Sequence, residues 1–212
     1  MNVKTIILSI TKEQLATLPT VTYPGHIVVV NTAEQAVSAL ETISRYSVVG
    51  FDTETKPSFR KGRTNPVSLI QISVGDCCYL FRISKFGFIP ELKGFFENGS
   101  LLKIGLSLKD DFNVLHKTLD FEPSGFIDLQ DYVKDFNIHD ISLQKIYAII
   151  FKERISKSQR LSNWAAPSLT APQQIYASID AWACLKIYDY LNSGKFIPEQ
   201  SEYAVPASEI SM

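Results

Sequence analysis

An α/β fold with a mixed sheet flanked by helices is predicted by three features of this 212-residue sequence. Val48–Phe51, Val67–Val74 and Cys77–Ile83 are short β-rich runs, and Gly75-Asp76 between the last two is a tight-turn pair, so three successive antiparallel strands are expected. A fourth short strand, Leu101–Gly105, is followed by segments with helical spacing. Strands leading into a strand-then-helix alternation give the α/β class.

The elements follow in order. Thr-x-x-Gln boxes at Thr11–Gln14, Thr32–Gln35 and Thr170–Gln173 read as helix starts, because threonine can cap an orphan N–H while glutamine reaches back to the cap's own amide. Val37, Leu40 and Ile43 give residues 32–45 one packed face. Lys56–Pro66 is basic and rich in turn residues, hence an exposed loop. Helices are expected at 90–97, 108–119, 128–137 and 142–151, and a long one at about 171–192. Residues after Gly194 are polar and aperiodic and read as a loosely attached tail. The expected organisation is an N-terminal extension with a helix packed on the domain (1–46), one domain (47–193) and the tail (194–212).

Composition narrows the class. The chain is 45% hydrophobic, 11% aromatic and 20% charged, which excludes disordered, collagenous and disulfide-scaffold types. Its 21 basic and 22 acidic residues leave a net charge of -1, so contact with a polyanion must be local. Cys77, Cys78 and Cys184 are odd in number and lack C-x-x-C spacing, against a zinc site or secreted disulfides. Ile6–Ile10 is too short for a signal-peptide core, and no run approaches a membrane span. A soluble cytoplasmic chain without membrane contact or organic cofactor is expected.

The chemistry lies in the acids. Asp52 and Glu54 close a strand, and period-two alternation points both to one face. A solvated strand end is the alternative, since about two acid-x-acid pairs are expected by chance. Of Asp110 and Asp111, the first fits a Ser107-x-x-Asp110 capping box and lies about 160° from the stripe of Leu108, Phe112, Leu115 and Leu119. Asp111 sits about 60° from Leu108, at the edge of the buried face. Tyr176 and Asp180 are helical neighbours, and Asp180 falls inside an apolar arc running from Ile175 to Leu191. Either a buried polar partner or a metal would satisfy it. Four carboxylates from three elements repel by about 4 kcal/mol per pair at 4 Å, so convergence requires divalent cations or strongly raised pKa values. Oxygen-only ligands favour two Mg²⁺ or Mn²⁺ ions, the arrangement suited to in-line displacement at phosphorus.

GFDTET, SLIQIS, KIGLSLKDDFNVL, LSNW and YASIDAWACLKIYDYL occur in the order of the motifs of DEDDy-type 3′→5′ exonucleases, and the chain most resembles the Werner-type exonuclease and ribonuclease D group from about Val48 to Leu191. The resemblance implies a ribonuclease H-like fold, Asp52, Glu54, Asp111 and Asp180 as metal ligands, and Tyr176 as the residue orienting the attacking water. It also implies release of nucleoside 5′-monophosphates from a DNA or RNA 3′ end, DNA slightly favoured. One ion would be held by Asp52 and Asp180, with or without Glu54, and a second shared through Asp52. The helicase portion and trailing helical domain of such proteins are not in this sequence, and residues 1–46 carry no motif of the family.

Two basic stretches flank these motifs and are candidates for phosphate contact: Arg60, Lys61 and Arg63 with Lys56, and Arg154, Lys157 and Arg160 with Lys152. A solvated surface is the plain alternative. Trp164 either stacks on a base or packs a helix start. An inward Gln71 amide would need a partner. His26, His116 and His139 lack metal-ligand spacing. A catalytically silent binding module of the same fold is the second functional reading, opposed by the presence of all four acids and the tyrosine. An aspartate-nucleophile phosphatase would want Asp and Thr where Glu54 and Lys56 stand.

Overall fold

The computed structural model describes residues 6–58, 60, 62 and 64–207. In chain order its elements are β1 (Ile6–Leu8), α1 (Lys12–Thr17), β2 (His26–Val30), α2 (Ala33–Ile43), β3 (Val48–Thr55), β4 (Val67–Val74), β5 (Cys77–Phe81), α3 (Ile83–Phe86), α4 (Pro90–Glu97), β6 (Leu102–Gly105), α5 (Leu108–Leu115), β7 (Phe126–Asp128), α6 (Leu129–Tyr132), α7 (Leu143–Phe151), α8 (Ala171–Asn192) and β8 (Ala204–Pro206). Six strands form one sheet in the order β2-β5-β4-β3-β6-β7. The three expected antiparallel strands are its centre, and β2, β6 and β7 join in parallel.

Alternation along β3 sorts its side chains between two layers. Val49 and Phe51 enter an aromatic-rich core with α2, α4 and α5, where Phe51 meets Phe96 edge-to-face at 6.0 Å between ring centroids. Gly50 faces α8 instead. A Cβ there would stand 1.9 Å from the Ala181 carbonyl oxygen, so glycine is what lets the helix lie flush on the strand. Strand β4, covered on both sides, is buried along its whole length.

Several elements differ from the sequence reading. Residues 26–43 are integral to the sheet and core, not an extension laid on them, because β2 pairs with β5 and Ala36, Leu40 and Ile43 are buried in the main cluster. Between Gly194 and Pro206 the chain is tied down: β8 pairs with β1, and Tyr203 is only 6% exposed. The β5 strand stops at Phe81 and Ile83 begins a helical turn. The segment expected as a helix from 128 divides into β7, α6 and a 3-10 turn at Val133–Phe136. Helix α8 is buried on more than one arc: Ala177 and Ala181 pack toward β4 and β5, Ile179, Ala183 and Ile187 toward α7, and Ile175 is 42% exposed. The boxes at Thr11 and Thr170 close reciprocally, whereas Gln35 accepts from Asn31 N–H and not from Thr32 N–H. Among the described residues no helix is long and apolar enough to cross a membrane.

Candidate active site

Asp52 and Glu54 stand near the end of β3 on the face covered by α8, and the Gly50–Ala181 contact brings the next helical residue, Asp180, over them. Oxygens of the three carboxylates lie within 4.8 Å of one another. With Tyr176, Lys157 and the Cys184 thiol they line a cavity of about 240 Å³. At that spacing each ionised pair would repel by about 3 kcal/mol at an effective dielectric of 20. Burial, then the charges of Asp180, Asp111 and Glu54, push Asp52 well above the usual carboxylate range. Burial, then the charges of Asp180 and Asp111, raise Glu54 to about 9, with Arg160 opposing. Burial raises Asp180 also, against a hydrogen bond from Tyr176 and the charge of Lys157. Such a set sheds its repulsion either by taking up protons or by binding a divalent cation.

Asp111 takes a different approach. Thr53, between the two strand acids, points to the opposite face, and its hydroxyl donates to the Asp111 carboxylate. The fourth acid thus reaches the strand end from the α5 side, within range to raise Asp52 and Glu54 but outside the close triplet. Asp110 is exposed and accepts from the Ser107 hydroxyl at 3.2 Å, so the choice between the two aspartates agrees with their placement. Ser107 itself is left-handed (φ 61°) and makes no side-chain cap. The cap comes from Asp128, whose carboxylate accepts from Ser107 N–H at 3.0 Å, Leu108 N–H at 2.8 Å and Gln130 N–H at 2.9 Å. Asp128 escaped sequence reasoning, although its place as an N-cap before Leu129 was a usable signal.

Tyr176 is 9% exposed; burial and Asp180 push its hydroxyl upward, so it stays protonated. Burial likewise raises the Cys184 thiol; the side chains that converge are carboxylates, and such an oxygen set fits Mg²⁺ or Mn²⁺.

The basic candidates separate. Lys157 lines the cavity, and the Arg160 charge is felt at Glu54. Arg154 is engaged elsewhere, its Nε donating to Leu18 carbonyl at 3.0 Å and its amide to Pro19. Arg60 is exposed in the loop after β3, and Lys61 and Arg63 lie outside the described residues. Trp164 is fully buried, 5.9 Å from the Tyr176 ring, so packing replaces base stacking as its role. Its loop is anchored by Arg82, 2% exposed, which donates to the Ala166 and Pro167 carbonyls.

A mixed sheet of this order, with acids from its central strand and a crossing helix meeting at the strand end, is the ribonuclease H-like arrangement. The Escherichia coli RNase D structure superposes with a TM-score of 0.72 at 21% identity over 79% of this chain and 44% of that one. The Aedes aegypti Nibbler EXO domain gives 0.71 at 25% identity, over 85% of this chain and 97% of that one. A family model described as 3′-5′ exonuclease matches residues 27–194, and the chain belongs to that family. It is 33% identical over 189 residues to the mouse bifunctional 3′-5′ exonuclease/ATP-dependent helicase WRN and 28% identical over 190 residues to an exonuclease mut-7 homolog of Aedes aegypti. These alignments take in 83% and 78% of this chain but only 13% and 26% of the relatives' length.

Proposed function

We propose that this chain hydrolyses the terminal phosphodiester of a DNA or RNA 3′ end and releases nucleoside 5′-monophosphates. The carrying observation is the triplet Asp52, Glu54 and Asp180, with oxygens within 4.8 Å, inside a chain of the 3′-5′ exonuclease family. Asp52, Glu54 and Asp180 would hold Mg²⁺ or Mn²⁺, with Asp111 completing a second position from across the strand. When bound, the ions supply charge that lowers the pKa of the attacking water and neutralises the leaving 3′ oxygen. Tyr176, held protonated, orients that water and does not take its proton. Lys157 and Arg160 meet the phosphates at the rim, and Arg60 meets the strand farther out. The free thiols Cys77, Cys78 and Cys184 support a reducing, cytoplasmic setting.

The test is degradation of labelled DNA and RNA strands, recessed and single-stranded, with Mg²⁺, Mn²⁺ or chelator. Stepwise 3′ shortening that needs the cation and is lost in Asp52→Asn is expected. Chelator-insensitive shortening, or near-normal activity in Asp52→Asn, refutes the reading. Absence of shortening together with tight strand binding favours the silent module.

A further inference from the structure

Gln71 on β4 is 0% exposed, and neither its amide nitrogen nor its oxygen has a hydrogen-bond partner among the described residues. The Ser73 hydroxyl two residues along also lacks a partner at hydrogen-bond geometry, with the Tyr23 side chain as its polar neighbour. A buried primary amide without partners is unfavourable, and an apolar residue of its size would pack at less cost. Its surroundings are narrowly defined by register. Leu80 of β5, Gln71 and Asp52 of β3 form one row across the face beneath α8. Along β4, Ser73 stands opposite Gly50 and Leu69 opposite Glu54. The helix above contributes Ala177 and Ala181 to the apolar cluster around Leu69 and Leu80. The polar groups that register sets beside it are Asp52 directly across, about 4.5–5.5 Å between Cβ atoms in such pairs, with Glu54 on the diagonal and Ser73 on the same strand.

We propose that Gln71 is a positioning residue for Asp52: with a divalent cation in the site, its Nε2–H donates to the Asp52 oxygen turned away from the ion and its Oε1 accepts the Ser73 hydroxyl. The inference rests on the metal-site reading above. A hydrogen bond to an ionised carboxylate is roughly twice as strong as one between neutral groups, so the amide gains most when the ion is bound. Both unpartnered side chains are satisfied by one small rearrangement, and the Asp52 ligand orientation is fixed from behind. Partners of this kind are worth about 10- to 100-fold in metal affinity.

The experiment titrates Mn²⁺ into the full chain by calorimetry, comparing wild type with Gln71→Met, Ser73→Ala and Asp52→Asn, and records melting in EDTA. Gln71→Met is expected to bind Mn²⁺ about 10- to 100-fold more weakly while melting in EDTA at or above the wild-type temperature, a combination that a packing role would not give. In wild type the Gln71 side-chain NH₂ resonances, identified by their loss in the variant, should shift on Mg²⁺ addition. Wild-type affinity in Gln71→Met, or unmoved NH₂ resonances in ion-loaded wild type, overturns the inference even if a variant folds poorly. Lack of ion uptake by wild type overturns the site reading along with it.

Discussion

Removing one charge from the acidic triplet should strengthen the metal-free protein while destroying its use for cations. Asp180→Asn is the best perturbation, because the amide oxygen can still accept from Tyr176 and the helix keeps its contact with Gly50. Oxygens within 4.8 Å repel by about 3 kcal/mol per fully ionised pair at an effective dielectric of 20. Proton uptake already relieves part of this, so a gain of about 2 kcal/mol at pH 8 is expected, or a Tm rise of roughly 4–8 °C for a chain of this size. The pH dependence has a definite sign. Glu54 is raised to about 9 by burial and its neighbours, so the folded state holds a proton that the unfolded state has released. Wild-type stability in EDTA should therefore fall as pH rises from about 4.5 to 9, by up to about 1.4 kcal/mol per unit for each such group, and less steeply in the variant. Melting scans across pH in EDTA, repeated with Mg²⁺, measure both effects. A variant no more stable than wild type at pH 8, or one that Mg²⁺ stabilises equally, would refute the reasoning.

Other outcomes follow from the packing and the site. Gly50→Ala should push α8 off β3 and cost on the order of 1–3 kcal/mol or more, with Mn²⁺ affinity falling alongside denaturant midpoint. Trp164→Ala should cost about 3–5 kcal/mol in chemical unfolding, whereas a stacking residue would lose strand affinity at unchanged stability. Tyr176→Phe should lower the cleavage rate by about 10²-fold or more with an unaltered fold, read by single-turnover kinetics and circular dichroism. Lys103 is fully buried, donating to the Phe95 and Asn98 carbonyls and held near 8 by burial. Because the unfolded chain keeps that proton to higher pH, the stability of wild type relative to Lys103→Met should rise between about pH 8 and 10.5, read as the difference between the two chemical-unfolding profiles.

What could be read from the sequence was set by length and period. The central strands announced themselves through five to eight β-rich residues, and Asp111 separated from Asp110 by helical angle alone. Strands β1, β7 and β8 have three residues each, too few to show alternation, and Asp128 made the end of β7 look like a helix start. The C-terminal segment read as loose because its anchors, the three-residue pairing of β8 with β1 and the lone buried ring of Tyr203, are too short to show a period. At the site, alternation correctly paired Asp52 with Glu54 and aimed them at the helix. Nothing local could show that Asp111 arrives from the other side of the strand, since that depends on how α5 is hung from Asp128. Trp164 and Arg154 carried real ambiguity, and contacts distant in sequence decided both.

The three-way grip of Asp128 has a bearing on how damage to this enzyme family would be diagnosed. A single carboxylate suspends the first turn of the helix bearing Asp111 and starts the next helix as well, while standing outside the close acidic triplet. An amide in its place offers one accepting oxygen where two are used, so one backbone N–H goes unanswered and the helix is freed to pivot. On the metal-site reading proposed above, weakened cation binding would then originate at a position that no survey of ligands would inspect.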